Sequence, residues 1–517
     1  MVRRRLLLGL ALTSCAVPAL ATPYDYIPVG DPIESEIRIL DLLDPAPLQN
    51  RLRLPHLHTR PLQSIELQGI GQPPLEPDVV RGISIARLER TLGRDRSPLF
   101  APHPEFGSTR RLFESNTNGE HLEVSVGAEG RADQDDGSSE LTSGSGFHGR
   151  IALGLHRLLM FSHYVVGRVD NARQFADPIV PGHDIIVLPD ETFLSYTEEQ
   201  GQWGAQFGRS RWHWGPGEEG SLVLSKTSPP LTGLAFRAHH SALHADGIAL
   251  SATLEPSAGE QLAAHRIEWQ LVDALRLGIT EAARYKAAGW QPLYLIGVIP
   301  YVLVQRLESQ SEPDSLQAVR NNVVMSVDAA WRVAEGSRVY GEFLIDDLHA
   351  RSGKTPNKFG YQFGWEGAGA IGRSRVTWGG EWTRISRYVY TSFFGRDYAV
   401  QGQPIGFPTG PDVRRIRLRL GWDPNPDWTV FATALHNDKG QNEISEPFLP
   451  NAPRVQASHF EGVVETTRQI EAGLRWWPAS GVNLSLSGGY RWVRNDQHLV
   501  GRDRQSAIAA LEARLDR

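Results

Sequence analysis

The stretch Asn483-Leu484-Ser485-Leu486-Ser487-Gly488-Gly489-Tyr490-Arg491-Trp492 changes character at every step. Successive side chains of an extended strand point to opposite sides. Leu484, Leu486, Gly488, Tyr490 and Trp492 therefore share one face, and Asn483, Ser485, Ser487, Gly489 and Arg491 share the other. The same alternation recurs upstream. Ile416, Leu418, Leu420 and Trp422 alternate with Arg415, Arg417 and Arg419; Val339, Gly341, Phe343 and Ile345 alternate with Tyr340, Glu342, Leu344 and Asp346; Ile267, Trp269 and Leu271 alternate with Arg266, Glu268 and Gln270. An apolar, aromatic-tipped face opposite a polar one is the dyad of a transmembrane strand, with lipid outside and a polar lumen inside. A soluble antiparallel sheet produces the same alternation with its apolar face turned inward, so the surrounding sequence has to decide.

Three features favour the membrane: an export leader, many strands of about ten residues, and asymmetric loops. Arg3, Arg4 and Arg5 precede a short apolar run, Leu6 to Leu12, and Ala19-Leu20-Ala21 fits a small-x-small cleavage site. Residues 1–21 thus read as a signal peptide, too short to span a membrane as a helix. Cys15, the one cysteine of the chain, follows Leu12-Thr13-Ser14 and also fits a lipoprotein leader. Cleavage after Ala21 would leave no cysteine, excluding disulfides, thiolate metal sites and a Cys nucleophile. Short turns are expected at Glu199–Gln202, Ala334–Ser337, Ile371–Ser374, Asp423–Asp427 and Pro478–Gly481. Long loops are expected near 133–146, 169–189, 212–230, 286–319, 388–412 and 438–463. About eighteen strands result, the last near 504–515. An even number returns the chain to its side of entry, with short periplasmic turns and long outer loops.

The expected fold is an all-β transmembrane barrel over 116–517, with a small helical plug region over 22–115. In that region Asp31 can cap a helix with Ile33, Ile37 and Leu40 on one face. Asp78 can cap a second, with Ile85, Leu88 and Leu92 in line and Gly93 ending it. The 517 residues carry a formal charge of -6 with mixed signs and no basic patch for nucleic acid. Mean hydropathy is -0.32, and no run of 18 apolar residues follows the leader, which excludes a helical inner-membrane protein. Leu293 to Val304 is apolar but too short to span; it reads as a loop segment tucked into the barrel, or as displaced strand edges. The final residues, Ala510 to Arg517, lack the aromatic that commonly ends a barrel chain. The 17 His show no His-Glu-x-x-His spacing, and there is no Gly-x-Ser-x-Gly elbow and no P-loop. Neither metal nor cofactor is called for.

Several segments, in order, resemble the Wzi family of capsule-assembly outer-membrane proteins. They are Gly208-Arg209-Ser210-Arg211-Trp212-His213-Trp214-Gly215-Pro216-Gly217 with Gly220 to Ser225; His265-Arg266; Tyr340 to Asp347; Asn357 to Gly364; Glu381-Trp382-Thr383-Arg384; Gln403 to Gly406; and Gly410-Pro411-Asp412. The likeness is carried by residues of about 200–420. It implies a monomeric barrel of about eighteen strands with a periplasmic helical plug, embedded among outer-membrane lipid and lipopolysaccharide. It also implies that capsular or other extracellular polysaccharide is bound at the outer face and held on the cell.

The residue chemistry leaves alternatives open. Trp212 and Trp214 could stack on the apolar faces of sugar rings, or pack inside a loop that closes the barrel. The loop from Tyr388 to Asp412 carries Tyr390, Phe393, Phe394, Arg396 and Tyr398. Aromatics mixed with arginine suit an anionic polysaccharide, and equally suit a loop with its own small core. The lumen-facing charges Arg266, Glu268, Glu342, Asp346, Glu381, Arg384, Arg415, Arg417, Arg419, Glu471, Arg475 and Arg491 would set ion preference in an open pore. In a plugged barrel they would pair across the lumen and with the plug. The first reading is a porin for anions or saccharides, the second a polysaccharide lectin. A third, an outer-membrane hydrolase, would make catalysts of Glu342, Asp346 and Asp347, although Glu342 and Asp346 point the same way from one strand beside arginines.

Overall fold

The computed structural model describes residues 26–27, 29, 33–43, 58–63, 78–92, 113–117, 120–135, 141–155, 157–169, 185–198, 201–311, 321–347, 356–449, 456–479 and 482–516. Eighteen long antiparallel strands close into a barrel. The first six are β1 (Glu120–Asp135), β2 (Leu141–Leu155), β3 (Leu158–Val169), β4 (Ile185–Thr197), β5 (Trp203–Ser210) and β6 (Leu231–His240). Then come β7 (Ala245–Glu255), β8 (Glu260–Val272), β9 (Leu275–Lys286), β10 (Asn322–Ala334), β11 (Ser337–Asp347) and β12 (Lys358–Ile371). The last are β13 (Ser374–Ile385), β14 (Val413–Asn425), β15 (Trp428–Lys439), β16 (Glu465–Ala479), β17 (Val482–Arg494) and β18 (Arg504–Asp516). Closure is made by β18 on β1, from Ile508 opposite Asp135 to Asp516 opposite Gly127. A short segment, Phe113–Thr117, pairs with the other end of β1. A closed sheet satisfies backbone polar groups that lipid cannot.

The alternation read from sequence is the inside–outside pattern of the wall. Phe147, Phe207, Phe363, Leu418 and Leu486 stand outward and are 53–72% exposed. An apolar belt of this extent is matched by lipid, not by water. Trp203, Trp331, Trp365, Trp422 and Trp476 are also exposed and cluster near the short turns, where amphipathic rings suit the membrane interface. Long connections gather at the opposite end. The predicted last strand, 504–515, is β18. Two loop expectations need correction. The stretch 133–146 is mostly strand, because β1 runs to Asp135 and β2 begins at Leu141; its two polar faces hide it from an apolar periodicity. The loop expected over 169–189 ends earlier, at β4.

Two helices, α1 (Ile33–Leu43) and α2 (Val79–Leu92), dock at the short-turn end. Ile33, Ile37 and Leu40 of α1 pack on Leu88 and Ile85 of α2, as their spacing predicts; the side chain of Leu92, expected in the same line, lies outside the described residues. Asp78 caps α2, accepting the Val80 N–H at 2.9 Å. The Gly336 N–H, in the β10–β11 turn, donates to the Leu42 carbonyl at 3.1 Å. The leader with its cleavage site, Cys15, the Asp31 cap and the Gly93 stop lie outside the described residues.

Leu293 to Val304 is not inside the barrel. It forms α3 (Pro292–Ile296) and the start of α4 (Tyr301–Ser311), and both lie on the outer wall of β7–β9. Its apolar residues have a seat there that the charged lumen does not offer.

Candidate functional site

The charges of α1 meet charges of the wall at registers that the strands dictate. Arg375, the second residue of β13, faces inward and holds Glu36 at 2.6 Å and Asp423 of β14 at 2.6 Å. Arg87 of α2 reaches the same two carboxylates, at 2.9 and 2.8 Å. Asp41 is shared by Arg276 of β9 and Arg338 of β11, at 2.6 and 2.8 Å. Arg38 donates to Glu366 of β12 at 2.9 Å. All are buried, so each pair must offset a large desolvation cost through good geometry. Burial would raise the Glu36 pKa, but Arg375 and Arg87 outweigh it and hold it down at about 2. His58, buried between the plug and the arginines Arg338 and Arg276, is pushed well below its usual range and stays neutral.

Above the plug, the segment after β5 crosses the lumen as a strut. His213–Trp214 pairs with Thr59–Arg60 of the plug region. The Leu222 N–H donates to Glu342 at 3.1 Å. The Glu218 N–H donates to Glu381 at 2.8 Å, which also accepts the Tyr340 hydroxyl at 2.8 Å. Glu219 then meets Arg415 and Arg417 at 2.8 and 3.0 Å, and Glu218 meets Arg419. Thr59 donates to Glu268 at 2.7 Å and accepts from Arg266 at 2.9 Å. Arg266 continues to Asp328 at 2.5 Å, crossing β9 where Gly278 stands: a Cβ there would lie 2.4 Å from its guanidinium. Tyr340 likewise lies across Gly364 on its way to Glu381.

The second long segment, 386–412, also folds inward. The Tyr390 N–H donates to Asp346 at 2.5 Å, and its hydroxyl donates to the Leu222 carbonyl at 2.6 Å. Tyr390 and Tyr398 stack at 5.8 Å, and Phe407 joins them in one core with Trp212, Trp214, Leu222 and Leu224. Arg384 holds the outer rim, donating to the Ser458 carbonyl at 2.6 Å, with its guanidinium 4.1 Å from the Phe460 ring centroid. Glu342 and Asp346 thus receive backbone N–H groups of the two loops.

Of the expected sugar-contact residues, Trp212, Trp214, Tyr390, Arg396 and Tyr398 are buried. Their rings and guanidinium are closed off from a polymer outside, because the loops that carry them pack against the inner wall. Phe393 and Phe394 remain exposed, 50% and 45%, in an edge-to-face pair. Eleven of the twelve expected lumen charges face inward as the alternation required; Arg384 does not, because three residues from inward Glu381 it falls on the outward side of β13 with Trp382, opposite Tyr361 and Arg414. Asp328, the partner of Arg266, and the residues that anchor the helices, Glu366, Arg375, Arg276, Arg338, Glu36 and Asp41, were not among the expected site residues. Arg338 and Glu366 sit at the inward parity of their strands, and Glu36 and Asp41 sit between the apolar positions of α1. The signal was present but did not mark the pairs.

The wall from β14 to β18 is less filled. Arg415, Arg417 and Arg419 retain 22–38% side-chain exposure, Glu471, Arg475 and Arg491 are half-buried, and Glu512 is exposed. A cavity of about 420 Å³ lies between the plug and this wall, lined by Arg38, Arg87, Arg417, Arg419, Arg475 and Trp477 among others.

A closed, lipid-belted barrel with a polar interior defines the class: this is a bacterial outer-membrane β-barrel. No protein-family model matches the sequence, and no curated protein matches it. Among solved structures, the chain is similar to one described as Wzi, an outer-membrane protein involved in group 1 capsule assembly in Escherichia coli and a carbohydrate-binding β-barrel. The identity is 14%, with 95% of this chain and 99% of that chain covered and a TM-score of 0.63. At that identity the likeness is one of fold. A second group is represented by Pseudomonas aeruginosa OprD, at 10% identity over 76% of this chain and 94% of that one, with a TM-score of 0.42.

Proposed function

We propose that this barrel is a surface-polysaccharide lectin, retaining a capsular or other extracellular polysaccharide at the outer membrane. The observation that carries this reading is the Phe393–Phe394 pair. The loop 386–412 buries its other aromatics, Tyr388, Tyr390, Tyr398 and Phe407, yet presents two adjacent rings at the outer end. Exposed rings on a loop braced from within suit stacking on the C–H faces of sugars. The lumen strut and the docked plug leave the outer face as the working surface. The carbohydrate-binding barrel that shares the fold adds support. Weak contacts repeated along a polymer sum through multivalency, and the reading requires no reaction.

The test is binding of detergent-folded protein to the extracellular polysaccharide of its source strain. Phe393→Ala/Phe394→Ala is expected to weaken saturable binding without changing the unfolding temperature. Trp214→Ala, by contrast, should lower stability, by about 3–5 kcal/mol for a buried aromatic. Unchanged binding by the double Phe variant would sink the assignment of this loop. No binding by folded wild type would sink the lectin reading.

A second reading is favoured by the half-exposed arginines of β14 and by the cavity beside them: selective passage of anions or saccharides along the β14–β18 wall. Intact protein in a planar bilayer separates the two. Steady anion-selective conductance that falls on Arg417→Ala/Arg419→Ala supports passage, and near silence supports the lectin.

A further inference from the structure

We propose that α3 and α4 form an external saddle seated in the outer leaflet, where they contact lipid acyl chains. The register identifies the wall beneath them. Ile267 of β8 pairs with Ile279 of β9 on the lipid face, and both are exposed. Two and four residues further toward the long-loop end, on the same face, stand His265 and Ala263 of β8 and Glu281 and Ala283 of β9, with Tyr285 beyond. Here the wall is covered: Ala263, Ala283 and Tyr285 form one buried cluster with Tyr294, Tyr301 and Val304 of the helices. Tyr294 stacks on Tyr285 at 4.3 Å. Gly297 comes so close to the wall that a Cβ would lie 2.8 Å from that of Ala249.

What the saddle covers explains its need. Glu281 is an acid on the lipid-facing side of a transmembrane strand, a costly position in hydrocarbon. It is buried under the start of α4, accepting the Tyr301 and Val302 N–H groups at 2.7 and 3.1 Å. His265 lies 3.3 Å away, beneath the Tyr301 ring. The helices therefore shield a polar pair that would otherwise face lipid.

What the saddle presents outward identifies its surroundings. Leu293, Val298, Val302, Leu303 and Leu307 are 38–78% exposed, on a segment continuous with the apolar belt of Ile267, Ile279 and Val327. Aliphatic side chains displayed by an interfacial helix bury into the headgroup–acyl boundary. A loop standing in water would have no such use for them.

The test uses the full chain with Cys15→Ser and a single nitroxide-labelled cysteine at Val302, Leu303 or Leu307, folded into dimyristoylphosphatidylcholine vesicles. Reference labels replace Phe147, on the lipid belt, and Val500, in the exposed β17–β18 loop. Folding of each variant is checked by heat-modified gel mobility. Collisions with oxygen relative to a water-soluble nickel chelate should match those at Phe147 and exceed those at Val500. Ratios equal to those at Val500 would overturn the proposal. So would spin–spin broadening that disappears on dilution with unlabelled protein, which would assign the face to a second copy. Glu281→Gln gives an independent check, loosening the saddle and raising nickel access at Val302 while the Phe147 label stays unchanged.

Discussion

The walls β6–β13 and β14–β18 follow the same alternating pattern, yet enclose different interiors. In the first, inward groups are sealed: Arg266 is 1% exposed and Glu342 3%, each with a partner on a neighbouring strand, the plug or a loop. In the second, the arginines of β14 are tied to one carboxylate pair on a strut, and beyond them Ser485, Gly489, Gly473 and Ala510 offer little to hold anything against. Alternation makes a barrel wall, and complementary charge fills it. Where the wall carries paired opposites at the plug's registers, the lumen closes. Where it carries arginines and small residues, space remains.

The largest expected effect comes from removing what fills the closed side. Deleting residues 23–92 should raise single-channel conductance in planar bilayers by roughly tenfold or more, since eighteen strands enclose room for an aqueous path. Continued silence would mean that the strut and loops seal the lumen alone, and that the plug is not what distinguishes the two walls.

Next, Arg375→Met leaves Glu36 and Asp423 as buried charges with less compensation, at a cost of about 3–5 kcal/mol. It should appear as a lower unfolding midpoint and as protease cleavage within 33–92. Arg491→Gln, on the open side, should shift stability by no more than about 0.5 kcal/mol. Equal effects would break the comparison.

The smallest effect is one of pH. The Glu36 pKa is held down at about 2 from an ordinary 4.5, so its contribution is fully present above pH 4.5 and is lost as pH falls toward 2. Integrated over that shift it amounts to about 3 kcal/mol of plug docking. Protease sensitivity of the plug should rise across that window in wild type. In Glu36→Gln it should be raised at neutral pH and show a smaller step, the remainder coming from Asp41 and Glu366. A wild-type plug equally protected at pH 2 and pH 7 would remove Glu36 from the anchor.

Much of this architecture is legible in single segments. The last strand, the faces of α1 and α2 and the Asp78 cap depend on neighbours a few residues away. The polar stretch around Asp133–Gly146 misleads, because strand pairing there is made without an apolar face. Leu293–Val304 misleads differently: its apolarity calls for burial but does not say on which side of the wall. The aromatics of 386–412 are alike in sequence, and only packing separates the buried Tyr390 and Tyr398 from the exposed Phe393 and Phe394.

By itself the sequence determined the apolar and the polar face of those strands that alternate cleanly, because a two-residue period is a property of the local chain. It likewise set the barrel's approximate strand number through the spacing of turns. Only the tertiary structure decided that Glu36 meets Arg375, that Asp41 meets Arg276 and Arg338, and that one wall is filled and the other is not. Those contacts join residues more than two hundred positions apart, and their strength depends on burial and geometry that no local pattern encodes.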